Sequence, residues 1–473
     1  MSNTFPKHHR FDGRLVMVGF GSIGQGTLPL LLRHIEMPSE RILVVKPDTE
    51  GLDIARAYGA KTFVATVTPD NLREVLAPRL APGDFLLNLS VDVSSAALIA
   101  LARERGALYL DTCIEPWAGG YNDASLVPAQ RTNYALREAA LALRTPSRDA
   151  PTAVVAHGAN PGLVSYFVKQ ALLDLTAATN GAAATPAARE DWARLAERLG
   201  VRTIHIAERD TQEAAQRKEP GEFVNTWSVE GFIDESLQPA ELGWGSHERH
   251  FPADGERHAS GSRAAIFLNR PGAATRVRSW TPRAGAQHGF LITHTESISI
   301  AEHLTLGCPT APHYRPTVHY AYHPCDDAVL SLHELAGRNW RQQPRSRLIK
   351  DEIVAGVDEL GVLLMGHARG AYWYGSQLDA AKARALAPHN SATSLQVTAS
   401  VMAGVVWAMQ NPRRDIVEPD DLPHDTMLAL ALPYLGDVVG AYTDWTPLTD
   451  RDVPFDEDVD RDDPWQFKNF RVV

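Results

Sequence analysis

Three cysteines in 473 residues, Cys113, Cys308 and Cys325, are too few and too scattered for a disulfide framework, and no C-x-x-C pair offers a zinc knuckle. They predict reduced thiols in a cytoplasmic protein. Positive charge is also scarce. The 46 basic against 57 acidic side chains leave a formal net charge of −11, which argues against nucleic acid or an anionic membrane and suits a cationic ligand. The first residues are polar, and no apolar run approaches the roughly 18 residues of a membrane span, so neither a signal peptide nor a transmembrane helix is expected. Several catalytic signatures are missing. There is no G-x-S-x-G elbow and no Walker-type loop, which leaves acyl transfer and NTP hydrolysis without support. His333-Glu334 lacks the second histidine of a zinc-protease helix, and His294-x-Glu296 lacks the cysteine pair of a zinc deaminase, so no metal site is expected.

What is present is a chain with 44% hydrophobic residues, long enough for two to four lobes at about 100–200 residues each. Near its start, Arg14-Leu15-Val16-Met17-Val18-Gly19-Phe20-Gly21-Ser22-Ile23-Gly24 joins an apolar run to three spaced glycines and a helical pattern. This reads as a dinucleotide-binding turn. Gly19 lets the chain leave the first strand sharply, Gly21 lets backbone N–H groups approach a pyrophosphate, and Gly24 lets the helix lie close to the sheet. The pyrophosphate then sits at the helix N-terminus beside Ser22 and Ile23. Pro29, inside the expected helix, favours a kink.

Strand-like runs at 41–45, 61–67, 84–90, 108–111 and 153–156 then alternate with helical patterns at 28–34, 52–58, 71–76, 95–105 and 132–143. Asp92 or Ser94 is placed to cap the fourth helix. The fold class is α/β: a Rossmann-type, doubly wound parallel sheet over 1–160, followed by a second, α+β domain for substrate and dimerisation over 161–389. The second strand ends in Lys46-Pro47-Asp48 where an acidic side chain usually meets the ribose. Asp48 can reach the ribose from two residues on, and Lys46 leaves NAD and NADP both open.

Ligands of such sheets bind beyond the carboxyl ends of the strands. Those ends carry Ser90 and Asp92, then Thr112 and Glu115, then Asn160 and Pro161. Asp92, Glu115 and Asn160 therefore point into one crevice, and Ser90, Asp92, Thr112, Asn160 and Pro161 are expected beside the nucleotide.

A composition rich in Ala, Thr and Gly over 176–189 marks a flexible crossing to the second lobe. There a helix is expected at 191–199, a strand at 202–207 ending in Glu208, and a β-rich run at 222–232 bearing Trp227, with Glu230 and Glu235 close behind. Residues 245–262 read as a mobile polar loop, and 289–293 as a strand delivering His294. The 308–324 region reads as irregular, and 349–364 as a hairpin or buried strand pair. An apolar helix at 393–409 is expected to return to the first domain. The extension 413–473, acidic and then aromatic in its tail, is expected to wrap a surface.

Taken together, Met17 to Gly24, Asn88-Leu89-Ser90-Val91-Asp92, Asp111-Thr112-Cys113-Ile114-Glu115-Pro116-Trp117, His157-Gly158-Ala159-Asn160-Pro161-Gly162 and His294-Thr295-Glu296 resemble the bacterial homospermidine synthases. The glycine turn is shared with the wider saccharopine dehydrogenase-like group. The resemblance implies NAD as cofactor, putrescine and related polyamines as substrates, and a homodimer. It implies that Asp92, Glu115, Asn160, Glu208, Trp227, Glu235, His294 and Glu296 line the polyamine site. In the implied reaction, NAD oxidises the carbon beside one amine, a second amine adds to the iminium and expels ammonia, and the stored hydride reduces the new imine. Trp227 would steady the cationic states. Two other readings are a reductive-amination dehydrogenase of the saccharopine or carboxynorspermidine type, and a non-catalytic NAD or polyamine sensor. The first needs a cationic anchor where the sequence offers acids.

Overall fold

The computed structural model describes residues 5–180, 184–451 and 455–472. Its first sheet has seven strands in the order Ile416–Val417, Ala153–Val154, Leu108–Asp111, Phe85–Asn88, Leu15–Val18, Ile42–Lys46, Lys61–Val64. All pairings are parallel. The three central strands are buried at every position, as unbroken apolar runs require when helices cover both faces. The helix Ser22–His34 begins directly after the glycine turn, not at 28, and runs through Pro29. Ser94 rather than Asp92 caps Ser95–Arg105, its hydroxyl accepting the Ala97 N–H at 3.3 Å.

The second sheet is mixed. Its main path runs Gly255–Arg257, Ala265–Pro271, Pro239–Gly243, Thr317–His323, Thr203–Asp210, Val357–His367, Gly370–Asp379, Asp437–Thr443. Thr317–His323 lies parallel to Thr203–Asp210, with Tyr322 opposite Glu208. On the other side Asp358 stands opposite Asp210 in antiparallel register. Paired residues share a face, and alternate residues do too. Glu208, Asp210, Tyr320, Tyr322 and Asp358 therefore rise from one side of this sheet.

Several expectations need correction. The region expected to be irregular supplies the central strand Thr317–His323, whose first six residues are buried. Burial on both faces removed the apolar–polar alternation that marks a strand. The run at 222–232 is strand only over Glu222–Asn225. Ser228 then caps the helix Val229–Leu237 by accepting the Gly231 N–H at 3.1 Å. The 245–262 loop contains the strand Gly255–Arg257 and is tied down, Tyr134 donating to the Ser260 carbonyl at 2.6 Å. The crossing at 176–189 begins inside the helix Leu163–Asn180, and its residues 181–183 lie outside the described residues. The expected pair at 349–364 is a short strand Ile353–Ala355 and then Val357–His367, which forms a hairpin with Gly370–Asp379.

The returning helix, Ala392–Gln410, is present and packs on Ser22–His34. Contrary to the expectation that no run comes near a membrane span, its length and hydropathy match one, yet almost all of it is inside the protein. It is a core helix. The residues beyond it serve both sheets. Ile416–Val417 extends the first sheet, Asp437–Thr443 and Arg471–Val472 pair in the second, and Trp465, Phe467 and Phe470 are buried against the latter.

One buried cation ties these parts together. Arg137, on the helix Asn133–Leu141 of the nucleotide-type domain, is 2% exposed. It forks onto Glu418 at 2.6 and 2.7 Å and is ion-paired with Glu302 of the helix Thr295–His303 at 2.6 Å. Removing one partner of a buried pair strands the other charges. Arg137→Ala should therefore lower the unfolding free energy by about 3–5 kcal/mol in urea denaturation; a loss under about 1 kcal/mol would show that the network does not hold the parts together.

Candidate active site

The glycine turn has the geometry its sequence predicts. Gly19 has φ of +87°, and a Cβ there would lie 2.5 Å from the Leu89 carbonyl oxygen. Only glycine fits. Nothing lies within 4 Å of a Cβ built at Gly21, where the Ser22–His34 helix begins. Beside the turn, a cavity of about 420 Å³ opens at the carboxyl ends of the strands, lined among others by Val45, Thr66, Ser90, Asp92 and Trp117. Asp48 lies two residues beyond the adjoining strand Ile42–Lys46, where its carboxylate is ion-paired with the Lys46 ammonium. Thr112 and Pro161 pack around the Gly158 backbone, and the Pro161 carbonyl accepts its N–H at 2.6 Å.

Across the crevice, acids from both domains form a connected chain. Asp92, held at φ 66°, donates its backbone N–H to Glu115 Oε2 at 3.3 Å. Burial, with Glu235 nearby, pushes the Glu115 carboxyl up to about 8. Glu235 accepts from His294 Nε2 at 3.1 Å, and His294 Nδ1 contacts Glu296 Oε1 at 3.2 Å. Burial opposes charge on this imidazole, but Glu296 and Glu235 outweigh it and hold its pKa well above the usual histidine value. His294 is an imidazolium between two carboxylates. Its ring lies 4.5 Å from that of Tyr320, whose hydroxyl donates to Glu208 Oε2. The Asn160 amide donates to the same oxygen at 3.0 Å. Burial raises the Glu208 carboxyl too, with Asp210 adding repulsion.

Seven of the expected residues, Asp92, Glu115, Asn160, Glu208, Glu235, His294 and Glu296, are thus brought together in one network. Trp227 is linked to it differently. Its backbone carbonyl accepts the Ser22 hydroxyl, and its indole lies 6.0 Å from the Phe232 ring. Asp48 pairs with Lys46 beside the cavity at the glycine turn, whose lining includes the intervening Pro47.

Sequence reasoning missed Asp210, Asp358, Tyr320, Tyr322 and Asp234. Asp358 is fully buried, and burial with Glu208 and Asp210 alongside raises its carboxyl far above the usual range. The signal was available for two of them: Glu208-x-Asp210 puts two acids on one face of a strand, and Asp358 interrupts an apolar one. The tyrosines lay in the stretch read as irregular. Asp234, bonded by Asn122 at 2.7 Å, is lifted to about 6 by burial and by Asp92.

The raised Glu115 value has a sign. A carboxyl that ionises near 4.5 when unfolded and about 8 when folded binds its proton more tightly in the folded state. Its contribution to stability is full below about pH 4.5 and is lost as pH rises through 8. Glu115→Gln should therefore melt above the parent protein at about pH 8.5, by an amount on the order of 3 kcal/mol, with little difference near pH 5. Melting curves for the ligand-free proteins at both pH values check this; equal differences at the two would exclude Glu115 as the titrating group.

Comparison with known proteins identifies the family and the fold. Residues 15–155 match the saccharopine dehydrogenase NADP binding domain family, and residues 158–441 the saccharopine dehydrogenase C-terminal domain family. The chain is 55% identical to a homospermidine synthase of Blastochloris viridis, over 99% of each chain. It is 50% identical to one of Mesorhizobium japonicum, over 100% of this chain and 99% of that one. The crystal structure of the Legionella pneumophila homospermidine synthase in complex with NAD superposes with a TM-score of 0.91 at 47% identity, covering 98% of both chains. The apo saccharopine dehydrogenase (L-Glu forming) of Saccharomyces cerevisiae shares the fold, with a TM-score of 0.53 at 11% identity over 91% of this chain and 100% of that one. The chain belongs to the homospermidine synthase family, built on the saccharopine dehydrogenase fold.

Proposed function

We propose that this chain is an NAD-dependent aminobutyl transferase. It converts two putrescines, or spermidine and putrescine, to homospermidine with release of ammonia or diaminopropane. The observation that carries this reading is the chain of acids from half-buried Asp92 through buried Glu115, half-buried Glu235 and buried Glu296 to buried Glu208. Among the described residues, none of Glu115, Glu208, Glu235 and Glu296 is ion-paired with a lysine or arginine. A buried carboxylate needs a compensating charge, and a flexible diammonium supplies two. The arrangement gives a carboxylate-bearing substrate no cationic anchor, which disfavours the reductive-amination dehydrogenase.

NAD fits the Gly19 turn, the open helix N-terminus and the adjoining cavity, and when bound it supplies reversible hydride acceptance at the amine-bearing carbon. The remaining work falls to side chains. Glu115 and Glu235 compensate the outer ammonium. Glu208, held by Asn160 and Tyr320, gives up its own proton when the diammonium enters and then accepts one from the inner amine, which must be neutral to attack or leave. His294, between Glu235 and Glu296, returns protons to the departing amine. Trp227 offers an indole face worth roughly 0.5–2 kcal/mol to an ammonium or iminium. We assign the nucleotide to residues 1–160, with contacts from Gly19, Gly21, Ser22, Ile23, Gly24, Asp48, Ser90, Asp92, Thr112, Asn160 and Pro161. Residues 161–389 are assigned the amine and the partner subunit of a homodimer. The three thiols are free, which accords with work in the cytoplasm.

Incubation of the purified protein with putrescine and no added reductant tests the reading. Homospermidine and ammonia should accumulate in equal amounts with no net NADH, whereas net NADH would identify a dehydrogenase. Trp227→Phe should lower turnover about fivefold and Trp227→Ala by more than about thirtyfold at unchanged melting temperature. Parallel loss of stability and activity would reduce Trp227 to a packing residue. Glu235→Gln should raise the KM for putrescine with NAD still retained through purification.

A further inference from the structure

On the nucleotide-binding reading above, we propose that Lys46 and Asp48 act together as the nucleotide selector. The pair admits a ribose with a free 2′-hydroxyl, rejects one bearing a 2′-phosphate, and does so only while Asp48 neutralises Lys46. A lysine at the end of the strand Ile42–Lys46 stands where a 2′-phosphate would find a cation. Here that cation is committed. Lys46 is largely sheltered, with 13% of its side chain exposed, and its ammonium is bonded to Asp48 Oδ1. The same oxygen accepts the Glu50 N–H at 2.9 Å, a local turn that fixes the carboxylate. Among the described residues no hydrogen bond engages Asp48 Oδ2.

The charges decide which ribose is accepted. The lysine bond holds the Asp48 carboxyl below the usual range, so it is ionised and can accept a hydroxyl proton. A 2′-phosphate brings about two negative charges beside that carboxylate, and among the described residues the only charged side chain lining the adjoining cavity is another acid, Asp92. Lys46 therefore attracts a phosphate only if Asp48 releases it. This pairing reconciles the match to an NADP binding domain family with the likeness to an NAD-complexed structure.

Competitive retention tests the proposal. Parent protein, Asp48→Asn and the double variant Asp48→Asn with Lys46→Ala are each incubated with equal excesses of NAD and NADP. After gel filtration and denaturation, the retained nucleotide is quantified, and the shift in melting temperature with each nucleotide is recorded separately. The Asp48 side chain is 55% exposed, so its replacement leaves the core intact. Parent protein should retain NAD. Asp48→Asn should raise the NADP-to-NAD ratio by about tenfold or more, and the double variant should lose that gain. Unchanged selectivity in Asp48→Asn, or a gain that persists without Lys46, would overturn the selector. A parent protein that retains neither nucleotide would instead refute the nucleotide reading, and the selector with it.

Discussion

The constraint on which this molecule turns is an excess of buried carboxyls gathered where the two domains meet. Taking a carboxylate out of water costs several kcal/mol even after relaxation, and here Glu115, Glu208, Glu296 and Asp358 are all under 10% exposed. The protein meets this by three local means. It holds carboxyls protonated by burial, as at Glu115 and Glu208. It lends hydrogen-bond donors, as Tyr320 and Asn160 do to Glu208. It places one imidazolium, His294, between Glu235 and Glu296. None of these supplies one full compensating charge for each acid.

Holding the deficit requires two domains fixed to one another, because the acids come from both. Asp92 and Glu115 follow strands of the first sheet, whereas Glu208 rises from the second. The Ala392–Gln410 helix packs against the first domain's opening helix. Arg137 spans to Glu418 and Glu302. At the site itself, Ser22 at the start of the first helix donates to the Trp227 carbonyl, and Lys350 donates to Gln25 on that helix at 2.6 Å. The start of the first helix and the segment bearing Trp227 are thereby one hydrogen bond apart.

The first sheet was legible because a parallel sheet covered on both faces writes itself as apolar runs separated by helices. Its edge strand Ile416–Val417 was not, since two residues carry no period. The second domain was harder. The Thr317–His323 strand reads as a Pro-, His- and Tyr-rich irregularity until its neighbours are known, because tyrosines there are hydrogen-bonded or stacked rather than exposed. The strand-end residues Asp92, Glu115 and Asn160 followed from fold logic alone, whereas Glu208, Trp227, Glu235, His294 and Glu296 rested on family resemblance. Asp210 and Asp358 escaped both: each is visible locally as an acid within a strand, but that the two share a face depends on register between segments some 150 residues apart, which no local pattern encodes.

The measurement that bears most directly on this account is the proton balance of amine binding. Putrescine titrated into the protein near pH 7.5, with the bound nucleotide reduced so that no turnover follows, is followed by calorimetry in two buffers of different ionisation enthalpy. A diammonium entering a cleft of protonated carboxyls and an imidazolium should drive about one proton or more into solution, with less released by Glu115→Gln. Binding heats that do not depend on the buffer would contradict the claim that these buried acids are held for a cation.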